Sequence, residues 1–195
     1  EISIPDGFGL TLMLNLLHGV QIQRILGRKF MVSLLGLASK KRYKVFILGG
    51  SVGVISASLN RARVEFPNII IDGVAGPIFD NNANPISEID EKKNIQVIKE
   101  INNFKTDILF IALGSPKQEK WWDQNKEKLN VSVAMVVGGS FDTYSKTIKE
   151  PPSFMPAFGL EWLWRLFQEP KRIKRIFNAV IVFSVLSIKE KLDLL

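Results

Sequence analysis

Glycines at the ends of short apolar runs are the first sign of chemistry in this sequence. Glycine lets a ligand approach the backbone closely, and a helix that begins just after it offers unpaired N–H groups to an anion. The glycines that follow such runs here are Gly49, Gly50, Gly114, Gly138 and Gly139. They predict a binding site for a nucleotide or a sugar phosphate. The alternative is that they only form tight turns between a strand and a helix.

The segment Ser115-Pro-Lys-Gln118 supports two interpretations. Ser115 before a helix, Pro116 at its first position and Gln118 three residues after the serine make the pattern of a capping box. In that arrangement the side chain of Gln118 bonds the backbone at the start of its own helix. The same helix start faces the expected ligand site, so Pro116 and Gln118 are also candidates for contacts with a ligand hydroxyl or phosphate.

Two aspartates follow predicted strands. Asp6 comes after the strand-like start Ile2-Ser-Ile4, and Asp142 comes after Gly138-Gly139. A carboxylate at the edge of a ligand site is what a direct displacement by a hydroxyl needs as its general base, which makes Asp6 a candidate. Asp142 is a candidate acceptor for hydrogen bonds from a base or a ribose. Both also fit turns for conformational reasons alone, Asp142 as the acceptor of an Asx-turn.

Three arginines near the end of the sequence are spaced so that one helix face would hold them, except that Pro170 interrupts the helix. They are Arg165, Arg172 and Arg175. Arginine clusters suit bidentate contacts to phosphate, and a solvated basic face is the alternative. The apolar stretch 176–188 beside them is too short to span a bilayer, which needs about 20 residues. Together the two features favour an interfacial helix on an anionic membrane.

The composition limits both the partners and the chemistry. Lysine and arginine number 26 against 19 aspartates and glutamates, and the net charge of +7 favours anionic partners. The absence of cysteine excludes disulfides, thiolate catalysis and cysteine-based zinc sites. Gly49-Gly-Ser-Val-Gly53 lacks the spacing of a dinucleotide fingerprint, which weakens a nicotinamide-dependent oxidoreductase as an alternative. Nucleic acid is not an expected partner, because no stretch interleaves aromatic and basic residues.

The order of elements predicts an α/β fold. Apolar runs typical of strands buried on both faces lie at 44–48, 69–71, 107–113 and 131–137, and helical patterns lie at 30–41, 52–66, 89–103 and 116–129. This alternation indicates a Rossmann-like, mostly parallel sheet with helices on both faces, and the polar segment 76–88 predicts an exposed loop. Prolines within 150–156 cannot continue a helix or a central strand. We expect them to divide a nucleotide-sugar-binding core, residues 1–149, from a basic C-terminal helical appendage, residues 150–195, with helices at 157–169 and 171–192.

Six short motifs span nearly the whole sequence in a fixed order. They are Pro5-Asp-Gly-Phe-Gly9, Arg24-Ile-Leu-Gly27, Val45-Phe-Ile-Leu-Gly-Gly50, Leu113-Gly-Ser-Pro-Lys-Gln-Glu-Lys-Trp121, Val137-Gly-Gly-Ser-Phe-Asp142, and Gly159-Leu-Glu-Trp-Leu-Trp-Arg165 with Glu169-Pro-Lys-Arg172. In this order they resemble the WecG/TagA/CpsF glycosyltransferases. The resemblance implies an inverting hexosyltransferase without cofactor or metal site. It moves N-acetylmannosamine or a related hexose from a UDP-sugar to a polyprenyl-diphosphate-linked acceptor, for teichoic acid, capsule or common antigen.

The resemblance also implies roles for individual residues. Asp6 matches the general base, and Arg24 matches a residue near the donor phosphates or the acceptor. Gln118 matches the sugar-nucleotide pocket, and Asp142 matches a position near the uracil end of UDP. Family members have a C-terminal appendage that contacts diphosphate and brings the enzyme to the membrane. Its arginines are matched here by Arg165, Arg172 and Arg175. Cations of this kind are what a metal-free glycosyl transfer requires, because charge develops on the departing UDP.

Three further expectations come from the resemblance. Family members carry an upstream segment with a Thr/Asn-containing strand end in the active site, so we expect this protein to lack an N-terminal part of the pocket. An alternative for such a protein is a catalytically inactive, membrane-associated nucleotide-binding module. The resemblance implies a cytoplasmic protein, peripherally associated with the inner face of the plasma membrane, and it is compatible with a homodimer.

Overall fold

A four-stranded parallel sheet is the centre of the fold. The computed structural model describes residues 2–152, 154–156, 158–170, 173, 177, 178 and 182–193. The strands are β1 (Lys44–Gly49), β2 (Ile70–Val74), β3 (Ile108–Ala112) and β4 (Val133–Val136). Their order is β2-β1-β3-β4, and each neighbouring pair is parallel. The predicted α/β class is therefore confirmed, and each strand overlaps the apolar run that predicted it.

Helices connect the strands as predicted. The described α-helices are α1 (Phe8–His18), α2 (Gly27–Lys41), α3 (Val52–Glu65), α4 (Glu88–Asn103), α5 (Lys117–Asn125), α6 (Ser140–Tyr144), α7 (Glu161–Gln168) and α8 (Phe183–Asp193), and a 3-10 helix spans Lys126–Lys128. The patterns at 30–41, 52–66, 89–103 and 116–129 correspond to α2 to α5, whereas α1 and α6 were not predicted. In the C-terminal part, α7 is shorter than the predicted helix 157–169. The predicted helix 171–192 lies partly outside the described residues.

Helices cover both faces of the sheet. Along β1, Val45 and Ile47 pack into a core with α2, α3 and α6, whereas Phe46 and Leu48 pack into a second core with α4 and α5. Successive side chains of a strand point to opposite faces, and all four of these are at most 2% exposed. Both faces must therefore be apolar, and this is why 44–48 is an uninterrupted apolar run.

Serine side chains cap two of the helices. The Ser51 Oγ accepts the N–H of Val54 at the start of α3, at 3.3 Å. At the start of α4 the Ser87 Oγ accepts the N–H of Asp90 at 3.1 Å, and the hydroxyl donates to the Asp90 carboxylate at 2.5 Å. The N–H of Ile78 also donates to Asp90, at 2.9 Å. These bonds hold the pKa of Asp90 below its usual value, and the hydrogen bond from the Ser87 hydroxyl has the largest effect.

The protein forms two compact units. The sheet unit comprises Arg28–Ile148, and the terminal unit comprises the residues up to Gly27 together with the described residues from Lys149 onward. Within the terminal unit the backbone N–H of Lys149 donates to Oε1 of Gln168 at 3.0 Å, and the Gln168 amide donates back to the Lys149 carbonyl at 3.1 Å. The division into a donor-binding core, 1–149, and a membrane-associating appendage, 150–195, stays a prediction.

Candidate active site

The strand order of the sheet unit reverses between β1 and β3. The connection from β1 leads to β2 on one side, whereas β3 and β4 lie on the other. In open parallel sheets, ligands bind beyond the carboxyl ends of the strands at such a reversal. Gly49 and Gly50 stand at the end of β1 and Gly114 follows β3, so the predicted glycines lie at this edge of the sheet.

Different structural features explain why glycine occupies each of these positions. A Cβ on Gly49 would lie 2.6 Å from both the carbonyl carbon and the carbonyl oxygen of Ala112 in the neighbouring strand, so close strand packing explains this glycine. Gly50 has φ +79° in the turn into α3. Gly114 has φ +78°, and no atom beyond its sequence neighbours lies within 4 Å of its Cβ position. Strand packing therefore explains Gly49 and the turn explains Gly50, whereas Gly114 leaves the open space that a ligand needs to approach the backbone.

The side chain of Gln118 does not cap its own helix. Because α5 begins at Lys117, Pro116 takes the N-cap position and Ser115 lies outside it, so neither side chain caps the helix and the capping-box interpretation is wrong. The peptide bond between Ser115 and Pro116 is cis. The Oε1 of Gln118 instead accepts the N–H of Gly138 at 3.0 Å. Since Gln118 is only 5% exposed, it is a buried link between the start of α5 and the loop after β4.

The loop after β4 contains the second predicted glycine pair. Gly138 has φ +51°, and its Cβ position lies 4.0 Å from both polar atoms of the Gln118 amide. Gly139 has φ −84°, a value that any residue adopts. The backbone conformation therefore favours glycine at 138 but not at 139.

Asp142 lies in the short helix α6, and its role as an acceptor for a base or a ribose stays a prediction. Three contacts fasten this helix to α3. The Arg61 guanidinium stacks 4.5 Å from the centre of the Tyr144 ring and donates to the Tyr144 carbonyl at 2.6 Å, and the Tyr144 hydroxyl donates to Glu65 at 3.1 Å. Burial first, and then the Glu65 carboxylate, raise the pKa of Tyr144. These contacts fix the backbone that carries Asp142.

Lysines of α5 hold the segment that follows β2. The Lys117 ammonium donates to the Phe79 carbonyl at 3.0 Å, and the Lys120 ammonium donates to Oδ1 of Asn82 at 2.7 Å. The Phe79 side chain is 4% exposed and belongs to the core under α4 and α5. The prediction of an exposed loop over 76–88 is therefore wrong at this residue, because an aromatic side chain inside the polar stretch anchors it.

Asp6 and Arg24 lie together in the terminal unit. The Arg24 Nε donates to the backbone carbonyl of Asp6 at 2.7 Å, and the N–H of Ile25 donates to the carbonyl of Pro5 at 3.2 Å. The Asp6 side chain is exposed, and its Oδ2 lies 3.0 Å from the Cβ position of Gly27, the first residue of α2. The backbone on both sides of the candidate base is thus held in place.

The other guanidinium nitrogens of Arg24 also contact protein acceptors. Nη1 donates to the Pro156 carbonyl at 2.9 Å, and Nη2 forms an ion pair with the Glu161 carboxylate. The sequence around Glu161 carries no signal for a contact across 137 positions. The predicted role of Arg24 near the donor phosphates or the acceptor stays a prediction.

The C-terminal arginines are only partly within the described residues. Arg165 lies in α7, one turn after Glu161, and is half-buried. Arg172 and Arg175 lie outside the described residues, so their predicted shared face with Arg165 stays a prediction. No described helix is long and apolar enough to cross a bilayer. The same part of the protein holds no cluster of three or more histidine, aspartate or glutamate side chains suited to a metal ion.

A parallel sheet covered on both faces, with glycines at the reversal of strand order, defines a Rossmann-like α/β protein. The chain belongs to the glycosyl transferase WecG/TagA/CpsF family, whose model matches residues 1–195.

Curated relatives match most of the sequence. A protein of Bacillus subtilis (strain 168), named N-acetylglucosaminyldiphosphoundecaprenol N-acetyl-beta-D-mannosaminyltransferase, is 34% identical over 176 residues, which are 90% of this chain and 64% of the relative. The protein of the same name from Bacillus spizizenii (strain ATCC 23059 / NRRL B-14472 / W23) is 33% identical over 91% of this chain and 65% of its own length. A third, from Staphylococcus aureus (strain MW2), is 28% identical over 97% of this chain and 70% of its own length. The chain thus spans slightly less than two thirds of the two Bacillus relatives.

Proposed function

We propose that this chain belongs to an inverting glycosyltransferase that moves a sugar from a UDP-sugar to a polyprenyl-diphosphate-linked acceptor. The observation that carries the proposal is the 34% identity, over 90% of this chain, to a relative named for this kind of transfer. That name gives an N-acetylmannosaminyl group as the sugar and N-acetylglucosaminyldiphosphoundecaprenol as the acceptor. For this protein, N-acetylmannosamine or a related hexose is the proposed sugar. The proposed product is a lipid-linked precursor of a bacterial cell-surface polysaccharide.

The sheet unit is the proposed site of the donor. Gly114 leaves open space at the end of β3, and the start of α5 follows it directly. A helix N-terminus attracts the phosphates of a nucleotide sugar through its unpaired N–H groups. Gln118 orders the neighbouring loop by accepting the N–H of Gly138. Asp142, whose helix is fastened to α3, is the proposed partner of the uracil end of UDP.

The terminal unit carries the proposed catalytic base. In the proposed step, an acceptor hydroxyl oxygen forms a bond to the anomeric carbon while the bond from that carbon to the UDP oxygen breaks. The hydroxyl proton passes to the Asp6 carboxylate, and the electron pair leaves with UDP. Attack opposite to the leaving group inverts the anomeric centre. Arg165 is the described member of the arginines proposed to stabilise the charge that develops on the diphosphate.

The acceptor chemistry also suggests where the protein works. A polyprenyl tail stays in a bilayer, so an enzyme that acts on its diphosphate head must meet the membrane surface. We therefore infer a peripheral association with the inner face of the plasma membrane. The excess of 26 lysines and arginines over 19 acidic residues suits anionic lipid. The homodimer stays a prediction.

A donor screen tests this function. The full-length protein is incubated with UDP-ManNAc, UDP-ManNAcA, UDP-GlcNAc or UDP-Glc, with and without an undecaprenyl-diphosphate-sugar analogue, and UDP release is measured. We expect release from one donor only when the acceptor is present. Asp6→Asn should lower kcat by about a hundredfold or more, because general-base catalysis contributes roughly 10²–10⁴-fold.

The control is Asp123→Asn, which removes a carboxylate whose side chain is 75% exposed and should leave turnover unchanged. Undiminished release by Asp6→Asn would remove Asp6 as the base. Binding of UDP without turnover of any donor would instead favour the inactive nucleotide-binding module.

A further inference from the structure

Arg24 joins two segments of the terminal unit that are far apart in sequence. Its Nε donates to the backbone carbonyl of Asp6, and its Nη1 donates to the backbone carbonyl of Pro156. Its Nη2 forms the ion pair with Glu161 at the first position of α7. One guanidinium thus bonds both the segment that carries the candidate base and the segment that begins α7.

A second contact joins the same two segments. The ring of Phe8, two residues after Asp6, packs directly on Gly159, where a Cβ would lie only 2.3 Å from ring atoms. Gly159 also has φ +69°, a conformation that favours glycine. The Arg24 guanidinium lies 6.0 Å from the centre of the Phe8 ring. The aromatic contact aligns the two segments, and the arginine bonds them.

The Glu161 carboxylate is the charged partner in this arrangement. The Arg24 and Glu161 side chains are 20% and 22% exposed, so the ion pair is partly withdrawn from water. Hydrogen bonds with a charged partner are stronger than neutral ones, and the fork of an arginine can satisfy several acceptors in fixed directions. Without the carboxylate, Nη2 loses its charged acceptor, and the bonds to the carbonyls of Asp6 and Pro156 hold the guanidinium less firmly.

We propose that Glu161 is a positioning residue for catalysis: through Arg24 it fixes the backbone at Asp6. This proposal rests on the proposed function of Asp6 as general base. It also gives Arg24 a different role from a direct contact with the donor phosphates. Helix α7 then contributes to the reaction through the geometry of the base as well as through its own arginine.

This role has a defined kinetic signature. A base that is displaced by about 1 Å can cost a hundredfold in rate, whereas binding of the donor does not depend on the base. Glu161→Gln should therefore lower kcat about ten- to a hundredfold and leave the KM for the donor within about twofold. In an Arg24→Gln background, Glu161→Gln should lower kcat by no more than about a further twofold, because residues that act through one another are not additive.

The kinetic test uses the full-length protein with both substrates, and the control is Glu100→Gln. Glu100 is a half-buried glutamate of the sheet unit that accepts a hydrogen bond from Gln96 at 2.8 Å, and its substitution should leave kcat unchanged. An unchanged kcat in Glu161→Gln overturns the proposal. The proposal is also overturned if the losses in kcat from Arg24→Gln and Glu161→Gln multiply in the double variant. A raised donor KM in Arg24→Gln, with Glu161→Gln behaving like the parent, would assign Arg24 to the donor instead.

A second measurement needs no activity. Hydrogen–deuterium exchange of residues 4–9 should be faster in Glu161→Gln than in the parent protein and unchanged in Glu100→Gln. Exchange at the parent rate in Glu161→Gln overturns the positioning role whatever the reaction is. Absence of sugar transfer in the parent protein, together with faster exchange in the variant, would instead contradict the function proposed for Asp6 while leaving the contact itself supported.

Discussion

Gln118→Ala is the sharpest test of the candidate donor site. The substitution removes the acceptor of the Gly138 N–H, a hydrogen bond of 3.0 Å made by a side chain that is 5% exposed. A buried backbone N–H left without its partner lowers the free energy of unfolding by about 1–3 kcal/mol. Because Gly138 is only half-buried, we expect the lower part of this range, about 1–2 kcal/mol. In a protein of this size each kcal/mol lowers Tm by about 2–4 °C, so Tm should fall by about 2–8 °C.

The same change should weaken donor binding. If the loop after β4 contacts the nucleotide, the donor must restore the order that Gln118 normally provides. A cost of about 1–2 kcal/mol corresponds to a Kd raised about 5- to 30-fold. Calorimetric titration with UDP measures this increase, and thermal unfolding of the unliganded protein measures the change in Tm.

The matched control lies on the same helix. Gln124 is exposed and donates to the Asn82 carbonyl at 3.0 Å, so Gln124→Ala should change stability by less than about 0.5 kcal/mol and leave Kd unchanged. If Gln118→Ala loses no more stability than Gln124→Ala, the buried link does not order the loop. If stability falls but the Kd for UDP does not rise, the loop is not part of the donor site.

Two further predictions concern local structure. Gly49→Ala should destabilise the protein by about 3 kcal/mol or more, because a Cβ there meets the neighbouring strand at 2.6 Å and φ is +109°. Gly53→Ala, on the open side of α3, should raise the free energy of unfolding by up to about 1 kcal/mol. Urea unfolding measures both variants, and if both change the free energy of unfolding in the same direction, the contrast is refuted. The pKa of Asp90 is lowered in the folded protein, so the stability from its ionised form is present above its unfolded value of 3.8 and is lost as the pH falls through the lower folded pKa. Asp90→Asn should therefore flatten the acid limb of stability against pH, and an unchanged limb would show that the Ser87–Asp90 cap contributes nothing.

The sheet could be predicted from the sequence because its signal is local. The central strands β1 and β3 are buried on both faces, so each appears as an uninterrupted apolar run, whereas the edge strands β2 and β4 are only partly buried, against the expectation for all four. Two helices were missed for opposite reasons. The five-residue helix α6 is too short to show a helical period. By contrast, α1, Phe8–His18, does carry a signal, because its three polar residues, Thr11, Asn15 and His18, follow the i, i+4, i+7 spacing of one helix face.

The candidate site could be predicted only where it depends on local conformation. Gly50, Gly114 and Gly138 have positive φ at the ends of strands or in the loops that follow them, and glycine in such places has a clear sequence signature. The partner of Gln118 lies 20 residues away, and the local pattern at 115–118 pointed equally to a capping box. A contact that the tertiary fold creates leaves no mark on the spacing of nearby residues.

Transfer of the labelled sugar to the lipid acceptor is the decisive reaction to measure. UDP-ManNAc with an isotopic label in the sugar is incubated with the full-length protein and an undecaprenyl-diphosphate-GlcNAc analogue, and the lipid product is extracted and its anomeric configuration determined by NMR. We expect labelled sugar in the lipid, one UDP for each sugar transferred, and a configuration inverted relative to the donor. Label that stays entirely in the aqueous phase with every donor in the screen, or a product with retained configuration, would contradict it.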